Sequence, residues 1–530
     1  MRRRNGIIRK GENRILPPTI VSALIGMVTG TLVTLYLALG IFSYAPSKFH
    51  YTLILILAFL GGISSLAFFF LARRIIRKAS ISICLSAVCA VFVTVLYTEI
   101  LSVSDVNVLL IVSDATRADH LSCYGYDEDT TPNLDSLAAC GVLFRNAIAQ
   151  GSHTVVATPS IIASIYPSQH GMTTYRDVLS DSVVTLAEVL KQNDFETVGI
   201  STNPHLTEVT NFSQGFSIYK SDRSWLNTDA EKVVDNFLSW LDTNERKRFF
   251  AFLFLVDPHS PYEPPERFLR KFGGDERFVV HDWNLDSLRL YEGEQRRELI
   301  ARYDGELGYL DYHLGRLFRE LKRQRRYDRT MIIFTSDHGE AFWDHGGVGH
   351  GDTLYEELLK IPLIMKLPKI FTFPELVAAG RIIGDPVAQL DVMPTVLEFL
   401  NLESPQSVQG VSLLPVIFGK RDLKNRKIFS EEILLQLGPY NIRSLRENDW
   451  KFILNQKFPE GIMQRELFNL ANDPRETVNV IEEHSDVARR LERELIVFMG
   501  RMERMNLASG KSSVPTRSML ESLKELGYIQ

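Results

Sequence analysis

The sequence feature that most constrains the fold of this chain is a set of three apolar, β-branched runs, each of which stops at an acidic residue. The runs are 107–113, 249–256 and 330–336, and the acidic residues that follow them are Asp114, Asp257 and Asp337. Short apolar runs between charged or turn-forming residues are typical of buried strands. In a parallel sheet the carboxyl ends of the strands share one edge, and ligands bind there. We therefore expect Asp114, Asp337 and the adjoining His338 to lie close together.

Two carboxylates and one imidazole form a hard, mostly oxygen donor set, which suits a divalent cation such as Mn, Ca, Zn or Mg. A single Asp after a strand is more often a turn residue or a helix cap than a metal ligand. Three such residues at one sheet edge favour the metal site predicted here, and the residues do not decide which cation binds.

Strands and amphipathic helices alternate from residue 107 onward, which predicts an α/β domain with a mainly parallel sheet flanked by helices. The predicted helices are 184–191, 230–241, 297–323 and 387–400, and further strands are predicted at 197–201 and 361–365. After residue 426 the strands shorten, and a helix follows at 485–499. This change predicts a small C-terminal antiparallel α+β subdomain.

The predicted boundaries are 107–425 for a catalytic domain, 426–505 for the C-terminal subdomain and 506–530 for a tail. Residues 1–106 are predicted to be a membrane anchor with three transmembrane helices at about 20–43, 51–72 and 81–101. Each stretch is long enough to cross about 30 Å of hydrocarbon, although any one of them could instead be a buried core helix. A cleaved signal peptide is a poor alternative, because its apolar core is shorter.

Basic residues precede the first stretch and separate the second from the third. The positive-inside rule then predicts a multi-pass protein of the cell membrane, with a cytoplasmic amino terminus and an extracytoplasmic catalytic domain. Residues 106–530 contain 48 lysines and arginines against 61 aspartates and glutamates, a net charge of −13. Such a surface disfavours nucleic acid as a partner.

Several motifs follow one another in a specific order. They are Cys123-Tyr124-Gly125, Thr131-Pro132-Asn133-Leu134-Asp135, Tyr166-Pro167-Ser168-Gln169-His170-Gly171, Asp257-Pro258-His259-Ser260-Pro261-Tyr262, Asp337-His338-Gly339 and Asp473-Pro474-Arg475-Glu476. In this order they resemble the sulfatase family of the alkaline phosphatase superfamily over nearly the whole chain after residue 106. The resemblance implies an alkaline-phosphatase-like fold, a divalent cation and an ester hydrolase or group transferase.

The family's nucleophile motif is Cys or Ser, any residue, Pro, Ser and Arg, with Thr-Gly nine and ten residues after the nucleophile. One register matches Ala157-Thr158-Pro159-Ser160-Ile161 and would put an inert alanine at the nucleophile position. Counting back from Ala163-Ser164 instead gives Thr154, and this register needs no deletion before His170. The second register makes Thr154 the candidate nucleophile, although a simple loop hydroxyl is the alternative.

A threonine changes the chemistry that the resemblance implies. Sulfatases of the family oxidise a Cys or Ser to formylglycine, and threonine offers no route to that aldehyde. Relatives with Thr at this position are typically phosphodiesterases or phospho-group transferases. A cation held by Asp114, Asp337 and His338 could bind the Thr154 hydroxyl as a fourth ligand and so lower its pKa.

The resemblance suggests roles for further residues. His259 matches a histidine that contacts the substrate's charged oxygens, and an imidazole could also protonate a leaving group. His350 or His345 stands where relatives place a substrate-binding lysine or a histidine of a second metal, and His350 is preferred for catalysis. Arg117 could bind the substrate anion or form a structural ion pair with Asp119.

Asn203, at a strand tip, is a weaker candidate for the same sheet-edge site. His313 is expected to be a surface or packing histidine and not part of the site. The predicted protein is a membrane-anchored phosphate-type ester hydrolase or transferase. Its predicted location suggests a lipid, a glycan or a cell-envelope polymer as substrate. A sulfuric ester hydrolase and an inactive binding protein that retains the fold are the alternatives.

Overall fold

A computed structural model describes residues 106–221, 230–244, 247–369, 380–433, 440–457 and 462–507. The chain divides into two units, Met1–Ser102 and Val103–Gln530, and all described residues belong to the second.

Fifteen strands occur in the described part of the chain. They are β1 Asn107–Ser113, β2 Val142–Ile148, β3 Glu196–Ser201, β4 Ile218–Ser221, β5 Phe249–Leu255, β6 Thr330–Ser336, β7 Ala341–Phe342, β8 Val348–Gly349, β9 Lys360–Ile361, β10 Leu363–Lys366, β11 Arg381–Ala388, β12 Lys427–Glu432, β13 Tyr440–Glu447, β14 Trp450–Lys457 and β15 Ile462–Asn469.

Twelve α-helices of the described residues connect or cover these strands. They are α1 Pro132–Ala139, α2 Thr154–Ala163, α3 Pro167–His170, α4 Leu186–Gln192, α5 Ala230–Thr243, α6 Glu266–Lys271, α7 Leu285–Arg289, α8 Glu294–Arg323, α9 Glu356–Leu359, α10 Val392–Phe399, α11 Leu414–Ile417 and α12 Ser485–Arg504.

The central sheet has nine strands in the order β11-β2-β10-β6-β1-β5-β3-β4, with β9 paired to β2. Strands β6, β1, β5, β3 and β4 pair in parallel, as do β11 and β2. The short strands β9 and β10 run antiparallel to their neighbours. The sheet is therefore mixed but mostly parallel, as predicted.

The central strands are buried on both faces, which explains their continuous apolar sequence. Along β1, Val108, Leu110 and Val112 pack into one hydrophobic core. The alternate residues Leu109 and Ile111 pack into a second core on the other face. Helices therefore cover both faces, because successive side chains of a strand point to opposite sides of the sheet.

A separate four-stranded antiparallel sheet, β12-β13-β14-β15, follows the central sheet in sequence. The amphipathic helix α12 packs its apolar side, including Leu491 and Leu495, into the larger of the two cores. The α/β class and the small C-terminal antiparallel sheet are thus confirmed.

The predicted helix at 387–400 begins later than expected. Val387 and Ala388 end strand β11, and helix α10 starts only at Val392. The buried carboxylate of Asp391 accepts a hydrogen bond from the Ala388 backbone at 2.8 Å and pairs with Arg426, so a fixed turn separates the strand from the helix. An apolar sequence alone does not distinguish these two states.

The predicted multi-pass membrane location is contradicted. Within the described residues, no helix is both long and apolar enough to cross a bilayer. The three predicted spans, at about 20–43, 51–72 and 81–101, lie outside the described residues.

Candidate active site

The candidate site lies where two neighbouring parallel strands end together. Ser113 of β1 is paired with Ser336 of β6, so Asp114 and Asp337 leave the sheet side by side. One ligand atom from each of Asp114, Asp337 and His338 lies within 4.8 Å of the other two. All three side chains are completely buried. The buried Asp/Asp/His cluster that the sequence predicts is therefore present.

Backbone and side-chain hydrogen bonds fix both carboxylates. Asp337 Oδ1 accepts from the backbone of Ala115 at 3.2 Å and of His338 at 2.9 Å. Asp114 Oδ2 accepts from Asn203 Nδ2 at 2.9 Å. Ala115 has a φ of 55°, an unusual conformation for a residue with a side chain, which turns the chain directly after Asp114. The acidic pair is thus held by three separate segments of the chain.

Without a bound cation, ionising the two carboxyl groups is unfavourable. Burial raises the pKa of Asp114 well above its usual range, and repulsion from Asp337 adds to this effect. Burial also raises the pKa of Asp337. Asp337 Oδ2 has no hydrogen-bond partner among the described residues. A divalent cation fits this donor set, because it would offset both negative charges and occupy the unpartnered oxygen.

Thr154 is the first residue of helix α2, and its hydroxyl points at this cluster. Thr154 Oγ1 donates to Asp114 Oδ1 at 3.3 Å and also lies 3.3 Å from His338 Nε2. Thr154 is 2% exposed. The N-terminus of a helix carries partial positive charge, which favours an anionic group at this position. The geometry therefore suits a hydroxyl that loses its proton and attacks an electrophile.

The backbone sets the tautomer of His338. Its Nδ1 donates to the carbonyl oxygen of Gly339 at 2.8 Å. The lone pair consequently lies on Nε2, the atom that faces Thr154 and Asp114. Burial lowers the pKa of His338 to about 4, so the ring is neutral near pH 7. A neutral Nε2 can bind a cation or accept the hydroxyl proton of Thr154.

Further histidines surround this cluster. The His350 ring centroid lies 4.3 Å from that of His338 and 4.9 Å from that of His259. His259 Nδ1 donates to the carbonyl of Ser260 at 2.6 Å, which assigns the lone pair to Nε2. Burial lowers the pKa of His259 to about 4 and that of His350 to about 3. Neutral imidazoles thus line one side of the site.

The structure brings Thr154, Asp114, Asp337, His338, His259 and His350 together, whereas Arg117 and His345 make their contacts elsewhere. Arg117 pairs with Asp119 at 2.8 Å and with Asp344 at 2.7 Å. His345 bonds to Glu357 at 2.7 Å and to the Glu476 carbonyl at 3.2 Å. Both residues hold loops next to the site. His313 is 2% exposed and packs against Tyr309 on α8.

Sequence reasoning missed three residues near Thr154. His153 caps helix α2, where its Nδ1 accepts from the Val155 backbone at 3.3 Å. The His205 ring centroid lies 6.4 Å from that of His153. Glu340 bonds to His350 at 3.0 Å. The available signals were weak: His153 precedes Thr154, His205 follows Asn203 closely, and Glu340 ends the Asp337-His338-Gly339 segment.

Comparison with known proteins identifies relatives of this chain. Residues 106–402 match the family model of sulfatases. Residues 346–499 match the model for the C-terminal region of N-sulphoglucosamine sulphohydrolase. The chain is 22% identical over 452 residues to the uncharacterized sulfatase YidJ of Escherichia coli, covering 75% of this chain and 87% of that protein. It is 23% identical over 470 residues to an N-acetylglucosamine-6-O-sulfatase of Bacteroides thetaiotaomicron, covering 71% and 82%.

Solved structures share the fold. A phosphonate monoester hydrolase of Agrobacterium radiobacter has a TM-score of 0.62 and 22% identity, and the match covers 75% of this chain and 96% of that one. A protein solved with its substrate D-glucosamine-2-N,6-O-disulfate also has a TM-score of 0.62, with 19% identity and coverage of 76% and 98%. The described α/β fold is therefore alkaline-phosphatase-like.

Proposed function

The chain belongs to the sulfatase family of ester hydrolases, and from this premise we propose that it cleaves a phosphate-type ester with Thr154 as the nucleophile. The observation that carries the proposal is the pair of 3.3 Å contacts from Thr154 Oγ1 to Asp114 Oδ1 and His338 Nε2. Both contacted atoms are proton acceptors, so each can draw the proton from the hydroxyl.

The first step forms a bond between Thr154 Oγ1 and phosphorus and breaks the ester bond between phosphorus and the leaving oxygen. The Thr154 proton moves to Asp114, because the His338 Nε2 lone pair would be taken up by the cation, and the leaving oxygen takes up one proton in return. We propose that His259 lies at the phosphoryl oxygens and relays that proton, which its Nε2 lone pair accepts from solvent before passing it to the leaving oxygen. The product of this step is a phospho-threonine.

The second step regenerates the enzyme. When water attacks phosphorus, the bond between phosphorus and Thr154 Oγ1 breaks, the hydroxyl recovers a proton, and the ester has been hydrolysed. When a hydroxyl of another molecule attacks instead, the phosphoryl group is transferred to it. His350 lies beside His338 and His259 and is proposed to contact the incoming oxygen.

The proposed ligands of a divalent cation are Asp114, Asp337, His338 and Thr154. A bound cation lowers the pKa of a coordinated hydroxyl and offsets negative charge that develops on phosphoryl oxygens. The donor set supports this assignment, because it combines two carboxylates with a neutral imidazole whose lone pair faces them. Thermal unfolding with added Mn²⁺, Ca²⁺, Zn²⁺ or Mg²⁺ identifies the preferred cation.

The proposed substrate is an ester on a sugar. One relative is an N-acetylglucosamine-6-O-sulfatase, and one structural neighbour was solved with a sulfated glucosamine.

We propose that residues 107–425 form the catalytic domain, residues 426–505 a supporting C-terminal subdomain and 506–530 a tail. This division is supported by the sequence positions of the site residues, which all precede the antiparallel sheet.

A sulfuric ester hydrolase is the second candidate. It is favoured by the names of the family model and of the relatives, which are sulfatases. Thr154 speaks against it, because a threonine side chain cannot give the formylglycine aldehyde on which sulfatases of this family depend.

One experiment separates the two candidates. Purified full-length chain is assayed with a phosphate monoester, a phosphate diester, a phosphonate monoester and a sulfate ester, each with chelator or added divalent cation. The expected result is cation-dependent turnover of a phosphorus ester that Thr154→Ala abolishes and the remote variant His313→Gln retains. Turnover of the sulfate ester alone, or full activity of Thr154→Ala, would overturn the proposal.

A further inference from the structure

One buried carboxylate connects the two loops that carry His350 and His259. Glu340 is completely buried in the turn between β6 and β7. Its Oε1 lies 3.0 Å from His350 Nδ1, and its Oε2 accepts the Tyr262 hydroxyl at 2.9 Å. Each carboxylate oxygen therefore bonds to a different loop, and the two partners are 10 and 78 residues away in the sequence.

The position of Glu340 is fixed by its surroundings. At Gly339, an added Cβ would lie 2.0 Å from the carbonyl oxygen of Glu357, so only glycine allows this approach. The Gly339 backbone donates to Leu358 at 2.7 Å. On the other side, Arg117 Nη1 donates to the Glu340 carbonyl at 3.1 Å. The backbone that carries the carboxylate is thus held on both sides.

This contact sets the state of the His350 ring. A carboxylate only accepts hydrogen bonds, so His350 Nδ1 carries the hydrogen and Nε2 carries the lone pair. The second ring nitrogen, Nε2, is then a proton acceptor and not an N–H donor.

Tyr262 connects Glu340 to the loop that carries the second histidine, His259. Tyr262 is 1% exposed and lies three residues after His259, in a loop that begins at the end of β5. The bond from its hydroxyl to Glu340 ties that loop to the β6–β7 turn. Glu340 therefore connects the His350 ring to the loop that carries His259, whose ring centroid lies 4.9 Å from that of His350.

We propose that Glu340 is a positioning residue, whose carboxylate fixes the tautomer and orientation of His350 and anchors the His259 loop through Tyr262. The inference rests on the proposed function, in which His350 and His259 contact the substrate at the Thr154 site. Glu340 itself is not expected to touch the substrate.

The first test is a double-mutant cycle with full-length chain and the phosphorus ester identified above. Glu340→Gln replaces one acceptor oxygen by an amide donor, so it cannot accept from both partners. We expect kcat/KM to fall about 10–100-fold, mainly in kcat, with unchanged bound-metal content. In the His350→Gln background the same change should have a smaller effect, limited to the part that acts through Tyr262 and the His259 loop. Effects that multiply in the double variant would overturn the inference.

The second test needs no turnover and so separates this inference from the proposed function. In wild-type chain with ¹⁵N-labelled histidine, the His350 signal, assigned by its loss in His350→Gln, should show the proton on Nδ1. Glu340→Gln should shift this tautomer, and the buried control Glu298→Gln should not. A proton on His350 Nε2 in the wild type would overturn the inference even if Glu340→Gln fails to fold. Loss of activity in Thr154→Ala decides the proposed function separately.

Discussion

Replacing Asp337 by asparagine is expected to have opposite effects on stability with and without a divalent cation. In the absence of a cation, two buried carboxylates lie side by side, and Asp337 Oδ2 has no hydrogen-bond partner among the described residues. An unsatisfied buried polar group costs about 1–3 kcal/mol, and more when it is charged. The Asp337→Asn change removes the charge, and the new amide could donate to His338 Nε2, from which Asp337 Oδ2 is 3.5 Å away.

The expected magnitudes follow from these contacts. In chelator, Asp337→Asn should be more stable than the wild type by about 1–3 kcal/mol. A cation present at about 100 times its dissociation constant should stabilise the wild type by about 2.7 kcal/mol, because it binds only the folded chain. The variant loses a charged ligand and with it most of that gain. With the cation added, the wild type should therefore be as stable as Asp337→Asn or more stable.

Thermal unfolding of the full chain in chelator, and then with added Mn²⁺, Ca²⁺, Zn²⁺ or Mg²⁺, measures the stability without and with a cation. The same series identifies the preferred cation. Glu298→Gln is the matched control, because Glu298 is a buried carboxylate paired with Arg302 at 3.0 Å outside the site. Its response to the cation should equal that of the wild type. A variant that is less stable than the wild type in chelator would refute the reasoning, as would an equal cation shift in both proteins.

Three further changes have expected outcomes. Asn203→Leu removes a 2.9 Å hydrogen bond to Asp114, and in chelator it should lower the free energy of unfolding by about 1–3 kcal/mol, measured by denaturant titration. At His345 burial lowers the pKa, but the bond to Glu357 raises it above its usual value overall. The stability advantage of wild type over His345→Gln should therefore be full below about pH 6.5 and disappear as the pH rises through the raised pKa. Burial lowers the pKa of Lys366 to about 8. The wild type should therefore gain stability relative to Lys366→Met as the pH rises from about 8 to about 10.5, and a flat difference would contradict this.

The strands that form the site were predictable because their sequence signals are local. Strands β1 and β6 begin and end where the apolar runs do, since a strand buried on both faces must be apolar throughout. Parallel pairing then brings Asp114 beside Asp337 without further information. Thr154 was reached only by counting along a family motif, and its role as nucleophile stays a prediction.

The contacts that support the site were not predictable from local sequence. No role was predicted for Glu340 from the sequence, yet it is completely buried and bonded to a tyrosine 78 residues away. Arg117 fits a ligand of the substrate anion or a structural ion pair equally well, and His345 was predicted to bind substrate. Their partners in the fold, Asp344 and Glu357, could not be named from the sequence. The start of helix α10 depends on a buried pair between Asp391 and Arg426, which the apolar sequence around it does not indicate.

The most direct test of a threonine nucleophile is to trap the intermediate. Full-length chain is mixed with excess phosphorus ester and its cation, quenched in acid during turnover, digested and analysed by peptide mass spectrometry. We expect phosphate on Thr154 in the wild type and none in Thr154→Ala. Phosphate on another residue, or steady turnover in Thr154→Ala, would contradict the proposed chemistry.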